Sequence, residues 1–181
     1  MASHGDQLSP TAYVVLGMLR LGVRTGYDIK QLVDKSTRFF WAASYGQIYP
    51  ELSRLEAAGL VKGKLAPTGG RKRKEYELTA AGKRALTEWA ARPPEIMEMR
   101  DESLLKLFFA DVLPLEQALE QLRMRRAGHE QFLALLREIE ARPGDDPPFI
   151  GLVLQYGIDY AEFNIEWCKR HERRLGKKEA A

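Results

Sequence analysis

Cysteine is almost missing from this 181-residue chain, with Cys168 alone, and histidine occurs three times. An intramolecular disulfide is therefore excluded, and the clustered Cys and His ligands of a structural zinc site are lacking, so no metal and no cofactor is expected. Long apolar runs are missing too. The longest, Ala12 to Leu19, is broken at Arg20, well short of the roughly 18 residues a membrane span needs. Met1 to Gln7 lacks the cationic start and apolar run of a secretory leader. A cytoplasmic protein with no membrane partner is expected. With 15 glycines and 9 prolines, the chain is neither collagenous nor of low complexity. It shows no nucleophile motif, no glycine-rich phosphate loop and no His/carboxylate cluster with catalytic spacing, so an enzyme is not expected.

What the chain does have is charge, unevenly divided. Pro93-Pro94 marks a boundary, because each ring removes an amide donor and restricts the residue before it. Residues 1–92 hold 15 Lys+Arg against 8 Asp+Glu, hence +7, and residues 93–181 hold 13 against 17, hence −4. This asymmetry fits a polyanion-binding module, 1–92, joined to a module with another task, 93–181.

In the basic half, Ser9-Pro10 has the order of an N-cap and first-position proline, followed by Ala12, Val15, Leu16 and Leu19 on one helical face. Thr25 and Asp28 have capping-box spacing before Ile29, Leu32 and Val33, which predicts a second helix ending near Thr37. Ser44 and Gln47 repeat that spacing, and Ile48, Leu52 and Leu55 predict a third helix from Ser44 to Ala58, stopped by Gly59. The period then changes. Leu60 to Ala66 and Arg71 to Thr79 read as strands separated by the turn formers Pro67-Thr68-Gly69-Gly70. Thr79 caps a fourth helix carrying Ala85, Leu86 and Trp89. Three helices, a hairpin and a helix form the order of a winged helix-turn-helix. The fold class expected is mainly α with a small β-hairpin.

In that architecture the second helix of the motif enters the DNA major groove, about 12 Å wide. With Ile48, Leu52 and Leu55 facing the core, Ser44, Tyr45, Tyr49, Ser53 and Arg54 fall on other faces. Tyr45, Gln47, Tyr49 and Arg54 carry groups able to hydrogen-bond to double-stranded DNA. Gln47 has either of two roles, reading adenine or closing the cap. Pro50 is expected to kink the first turn by removing the bond to the carbonyl of Gly46. Arg71, Lys72, Arg73 and Lys74 put four cations at the hairpin tip, suited to phosphates or an adjacent minor groove.

The stretch Ser44-Tyr-Gly-Gln-Ile-Tyr-Pro-Glu-Leu-Ser-Arg-Leu-Glu-Ala-Ala-Gly-Leu-Val61, followed by Gly70-Arg-Lys-Arg-Lys-Glu-Tyr-Glu-Leu-Thr79, resembles the helix and wing of PadR-type transcriptional regulators. Glu102-Ser-Leu-Leu-Lys-Leu-Phe-Phe109, Gly157-Ile158-Asp-Tyr160 and Glu166-Trp167 resemble the longer C-terminal domain of the phenolic-acid-repressor and virulence-activator branch. The likeness runs from about residue 9 to 175 and is tightest in the basic half. It implies a homodimer that usually represses and binds a pseudo-palindromic operator, released in some members by a small aromatic ligand. Where family members often carry Arg-Pro-Arg in the wing, this chain has Arg71-Lys72-Arg73, which leaves the tip less rigid.

In the acidic half, Asp101-Glu102 opens an apolar helix through Phe109, Pro114 starts a helix reaching about Arg142, and another begins near Pro148. There Phe149, Val153, Tyr156, Tyr160, Phe163 and Trp167 recur at the 3.5-residue spacing of a coiled-coil seam. A second stripe, Ile150, Leu154, Ile158, Ala161, Ile165 and Cys168, lies beside it. Two seams exceed what one neighbour covers, so one is expected to pack within the subunit and the first to meet a partner subunit. Phe39, Phe40 and Trp41, with Met97, Met99 or Phe108, either line an effector pocket or belong to the core. His129 reads as a structural histidine and Cys168 as an inert buried thiol. A protein-interaction module on a winged-helix scaffold is the alternative function.

Overall fold

A computed structural model of the chain describes residues 8–66, 73–94, 100–142 and 147–179. The chain divides into two compact units, Met1–Glu95 and Ile96–Ala181.

The first unit begins with α1 (Pro10–Arg20), whose N-cap Ser9 accepts from the Ala12 N–H at 3.1 Å. In α2 (Gly26–Lys35) the cap Thr25 accepts from the Asp28 N–H at 3.2 Å. This helix stops two residues short of the sequence expectation, and a 3₁₀ turn (Thr37–Phe39) follows it. The Ser36 hydroxyl turns back onto the Leu32 carbonyl at 2.6 Å, offering the backbone an alternative to another helical turn. Helix α3 (Tyr45–Ala57) is continuous through Pro50. Strands β1 (Val61–Ala66) and β2 (Arg73–Leu78) pair antiparallel, with Val61 opposite Leu78 and Ala66 opposite Arg73.

The strands are shorter than the pattern predicts because their end residues serve helices. The Leu60 N–H donates to the Leu55 carbonyl at 2.9 Å, closing α3. Thr79 caps α4 (Ala80–Ala90) by accepting from the Gly82 N–H at 3.1 Å. Leu16, Ile29, Ile48, Leu52 and Leu55 are fully buried and form the centre of the core, with Val61 and Tyr76 closing it from the hairpin. The Tyr76 N–H donates to the Arg24 carbonyl at 2.7 Å, tying β2 to the loop before α2. Trp89 of α4 stacks on Tyr13 of α1 with ring centres 4.7 Å apart.

The second unit holds α5 (Glu102–Phe108), a 3₁₀ turn (Ala110–Val112), α6 (Leu115–Glu140) and α7 (Pro148–Glu179). Helices α6 and α7 run antiparallel, since Arg126 pairs with Glu172 at 2.9 Å and Arg137 with Glu162 at 2.7 Å. Leu119, Leu122 and Cys168 are buried between them. At one point the filling is polar. The Arg125 guanidinium, with its side chain 5% exposed, donates to Asp101 at 2.7 Å, to Asn164 at 2.8 Å and to Ser103. This cluster joins α5 to both long helices. Burial pushes the Asp101 carboxyl up, but hydrogen bonds from Ser103, Arg125 and the Leu104 N–H outweigh it and hold the group down at about 2.

Candidate nucleic-acid interface

Helix α3 turns one face inward and leaves the other bare. Ile48, Leu52 and Leu55 are wholly buried, whereas Ser44, Tyr45, Gln47, Tyr49, Ser53 and Arg54 are exposed. The two roles open to Gln47 are decided in part. Its side-chain oxygen accepts from the Ser44 N–H at 2.9 Å and from the Ser44 hydroxyl at 3.1 Å, so that oxygen closes the helix start. Ser53 donates its hydroxyl to the Tyr49 carbonyl at 3.3 Å, and Arg54 pairs with the buried Glu51 at 3.1 Å. The Arg54 side chain nevertheless remains 73% exposed.

The tyrosines of this face form an ordered array that includes two residues of α2 which the sequence pattern did not single out. Tyr45 stacks between Tyr27, at 6.4 Å and 18°, and Tyr49, at 6.2 Å and 22°. The Lys30 ammonium lies 5.7 Å from the centre of the Tyr45 ring and is paired with Asp34. Tyr49 in turn lies against the backbone of Gly26. A Cβ at Gly26 would sit 2.6 Å from the Tyr49 ring edge, so only glycine leaves room for the ring there. The available signal was the i, i+3 spacing of Tyr27 and Lys30 on the polar side of α2.

Of the hairpin cations, Arg71 and Lys72 lie outside the described residues. Arg73 reaches back to Asp28 at 2.5 Å and to the Thr25 hydroxyl at 3.1 Å, so the wing is tied to the start of α2. Lys74 pairs with Glu56 of α3 at 2.6 Å, a bond that raises its pKa. It also lies 5.4 Å from the Tyr76 ring centre. Both cations are partly spent on contacts within the fold.

The effector-pocket candidates are divided between the two units. Phe40 and Trp41 are exposed and Phe39 is half-buried in the first unit, while Phe108 is exposed in the second; Met97 and Met99 lie outside the described residues. On α7 the two stripes separate from Ile158 onward, whereas Ile150 at the start of the second stripe is exposed and Leu154 is half-buried. Ile158, Ala161, Ile165 and Cys168 are buried, and burial pushes the Cys168 thiol up. Phe149, Tyr156 and Phe163 are 77%, 70% and 61% exposed, Val153 and Tyr160 are exposed as well, and Trp167 is half-buried. Leu105, Phe108, Phe109 and Val112 extend the apolar surface of this unit. His129 meets Tyr160 edge-on at 5.6 Å, and burial, then the Arg125 charge, lowers its pKa.

Residues 15–88 match the transcriptional regulator PadR-like family, and residues 99–176 match the virulence activator alpha C-terminal domain. The chain belongs to the PadR-like family of transcriptional regulators. The negative transcriptional regulator PadR of Bacillus subtilis is 36% identical over 121 residues, spanning 64% of this chain and 66% of the relative. The crystal structure of that PadR in complex with operator DNA has a TM-score of 0.83 at 28% identity, covering 92% of this chain and 99% of that one. Its structure in complex with p-coumaric acid has a TM-score of 0.75 at 28% identity, covering 94% and 98%. The winged-helix fold with a helical C-terminal region is common to this PadR-like chain and those neighbours.

Proposed function

We propose that this PadR-like chain is a homodimeric repressor acting in the cytoplasm, binding a pseudo-palindromic operator and released from it by a small aromatic ligand. The observation that carries the reading is the bare face of α3: a helix anchored by three wholly buried aliphatics that presents tyrosines, Gln47 and Arg54 to solvent beside a basic hairpin. A helix of this kind fits the major groove, and Arg71 to Lys74 fit phosphates. The exposed apolar stripe of α7 supports a dimer, because monomeric soluble proteins rarely leave so contiguous an apolar surface uncovered. Two chains related by a twofold axis would place two recognition helices about one helical turn, or a multiple, apart. The Bacillus subtilis complexes support the DNA and aromatic-acid readings by likeness.

Selection of fragments from the source genome by the purified protein at two salt concentrations tests the reading. A few promoter fragments sharing an imperfect palindrome are expected. Random fragments lost at the higher salt would refute sequence-specific binding and favour a protein-interaction module.

A further inference from the structure

On the candidate DNA face the charged groups are largely committed to one another. Arg73 holds Asp28, Lys74 holds Glu56, Arg54 touches Glu51, Lys30 holds Asp34, and the Gln47 oxygen is closed into the helix cap. The tyrosine phenols differ. Tyr27, Tyr45 and Tyr49 are 55%, 40% and 48% exposed, and none of their hydroxyls has a hydrogen-bond partner among the described residues. Their rings are stacked, and Tyr49 is fixed against Gly26. A tyrosine has few torsions to freeze, and these are restrained before any ligand arrives, so its hydroxyl is delivered at low entropic cost.

We infer that Tyr27, Tyr45 and Tyr49 form an uncharged ridge that grips the sugar-phosphate backbone of the operator, with Tyr27 of α2 as an additional contact and Gly26 as the residue that positions Tyr49. The inference rests on the DNA-binding reading above. Helix α2 is the first helix of the helix-turn-helix pair, the one that crosses the backbone when the second enters the groove, and tyrosine hydroxyls are among the groups that donate to phosphate oxygens. A neutral donor displaces no condensed counterion, unlike a lysine or arginine. The ridge therefore supplies a part of the affinity that salt does not remove.

The test measures binding of the full chain to a selected promoter duplex at several salt concentrations. Tyr27→Phe keeps the stacked ring and deletes only the hydroxyl, so the thermal midpoint should stay at the wild-type value. The dissociation constant is expected to rise by about tenfold at every salt concentration, one hydroxyl being lost at each of two half-sites. The slope of log affinity against log salt should not change, whereas losing one charged phosphate contact would reduce it by about 0.9. Gly26→Ala should weaken binding in the same salt-independent way by displacing the Tyr49 ring. Tyr27→Phe affinity within twofold of wild type, or a loss accompanied by a reduced slope, would overturn the inference while leaving the regulator reading intact. Failure of the wild-type chain to select any fragment would instead remove the reading on which it rests.

Discussion

Arg125 ties together the three main helices of the second unit. A guanidinium taken out of water is costly, and the cost is met by partners for its donors; here Asp101, Ser103 and Asn164 answer the two terminal nitrogens from the start of α5 and from α7, while the buried Nε has no hydrogen-bond partner among the described residues. Asp101 also accepts from the Leu104 N–H at 3.1 Å, so the same carboxylate starts α5 and neutralises the buried charge. Its carboxyl titrates at about 2, below its ordinary 3.8. A depressed acid of this kind contributes stability that is fully present above the ordinary value and is lost as pH falls from about 4 to about 2. Asp101→Asn is therefore expected to cost about 2 kcal/mol or more at neutral pH. It should also flatten the acid limb of stability in that interval. Urea unfolding across a pH series measures both, and an unaltered acid limb would count against the pairing. His129 acts in the same direction at higher pH. Burial and the neighbouring Arg125 charge disfavour its protonated form, so its contribution is present above the ordinary histidine value and declines below it.

Helix starts were legible in the sequence because capping is local. Ser9, Thr25, Ser44 and Thr79 each stand immediately before a helix, and the residue type that accepts a free N–H is the same whatever the tertiary context. The two stripes of α7 were legible for a similar reason, since periodicity is intrinsic to one helix. The α6 residues against which the inner stripe packs were not, because periodicity does not name a neighbour. The partners of Arg73, Lys74 and Arg125 were equally hidden, since each lies many residues away in sequence. Gly82 gave no signal either: a Cβ there would collide with the Leu60 carbonyl, an approach created only when α4 docks on the hairpin. At the element scale the exposed stripe makes a direct prediction. Phe163→Glu should leave the far-ultraviolet helical signal intact, the side chain being 61% exposed. In the proposed twofold interface the change enters twice, so dimer affinity should fall by roughly a hundredfold or more. Sedimentation would show monomers at micromolar concentration, and a sedimentation coefficient equal to wild type would argue that this stripe does not join the subunits.

For the whole molecule, the proposed dimer has to hold two α3 helices at the spacing of two half-sites, and a ligand that releases DNA has to act on that spacing. Binding alone cannot do so. A ligand shifts the equilibrium between two arrangements only by the difference in its affinity for them, and the coupling is reciprocal: if the ligand weakens the operator complex by some factor, operator DNA weakens the ligand by the same factor. p-Coumaric acid, bound by the Bacillus subtilis neighbour, is the first aromatic acid to try. Under the proposed release by a small aromatic ligand, saturating p-coumarate is expected to raise the dissociation constant for a selected operator by about 5- to 150-fold, the range of ordinary allosteric coupling. Calorimetric titration of p-coumarate into the protein with and without operator should return the same factor. Binding with equal affinity in both titrations would mean that the ligand is held without being transduced. No binding in either would leave DNA recognition standing and assign release to a different molecule or to none.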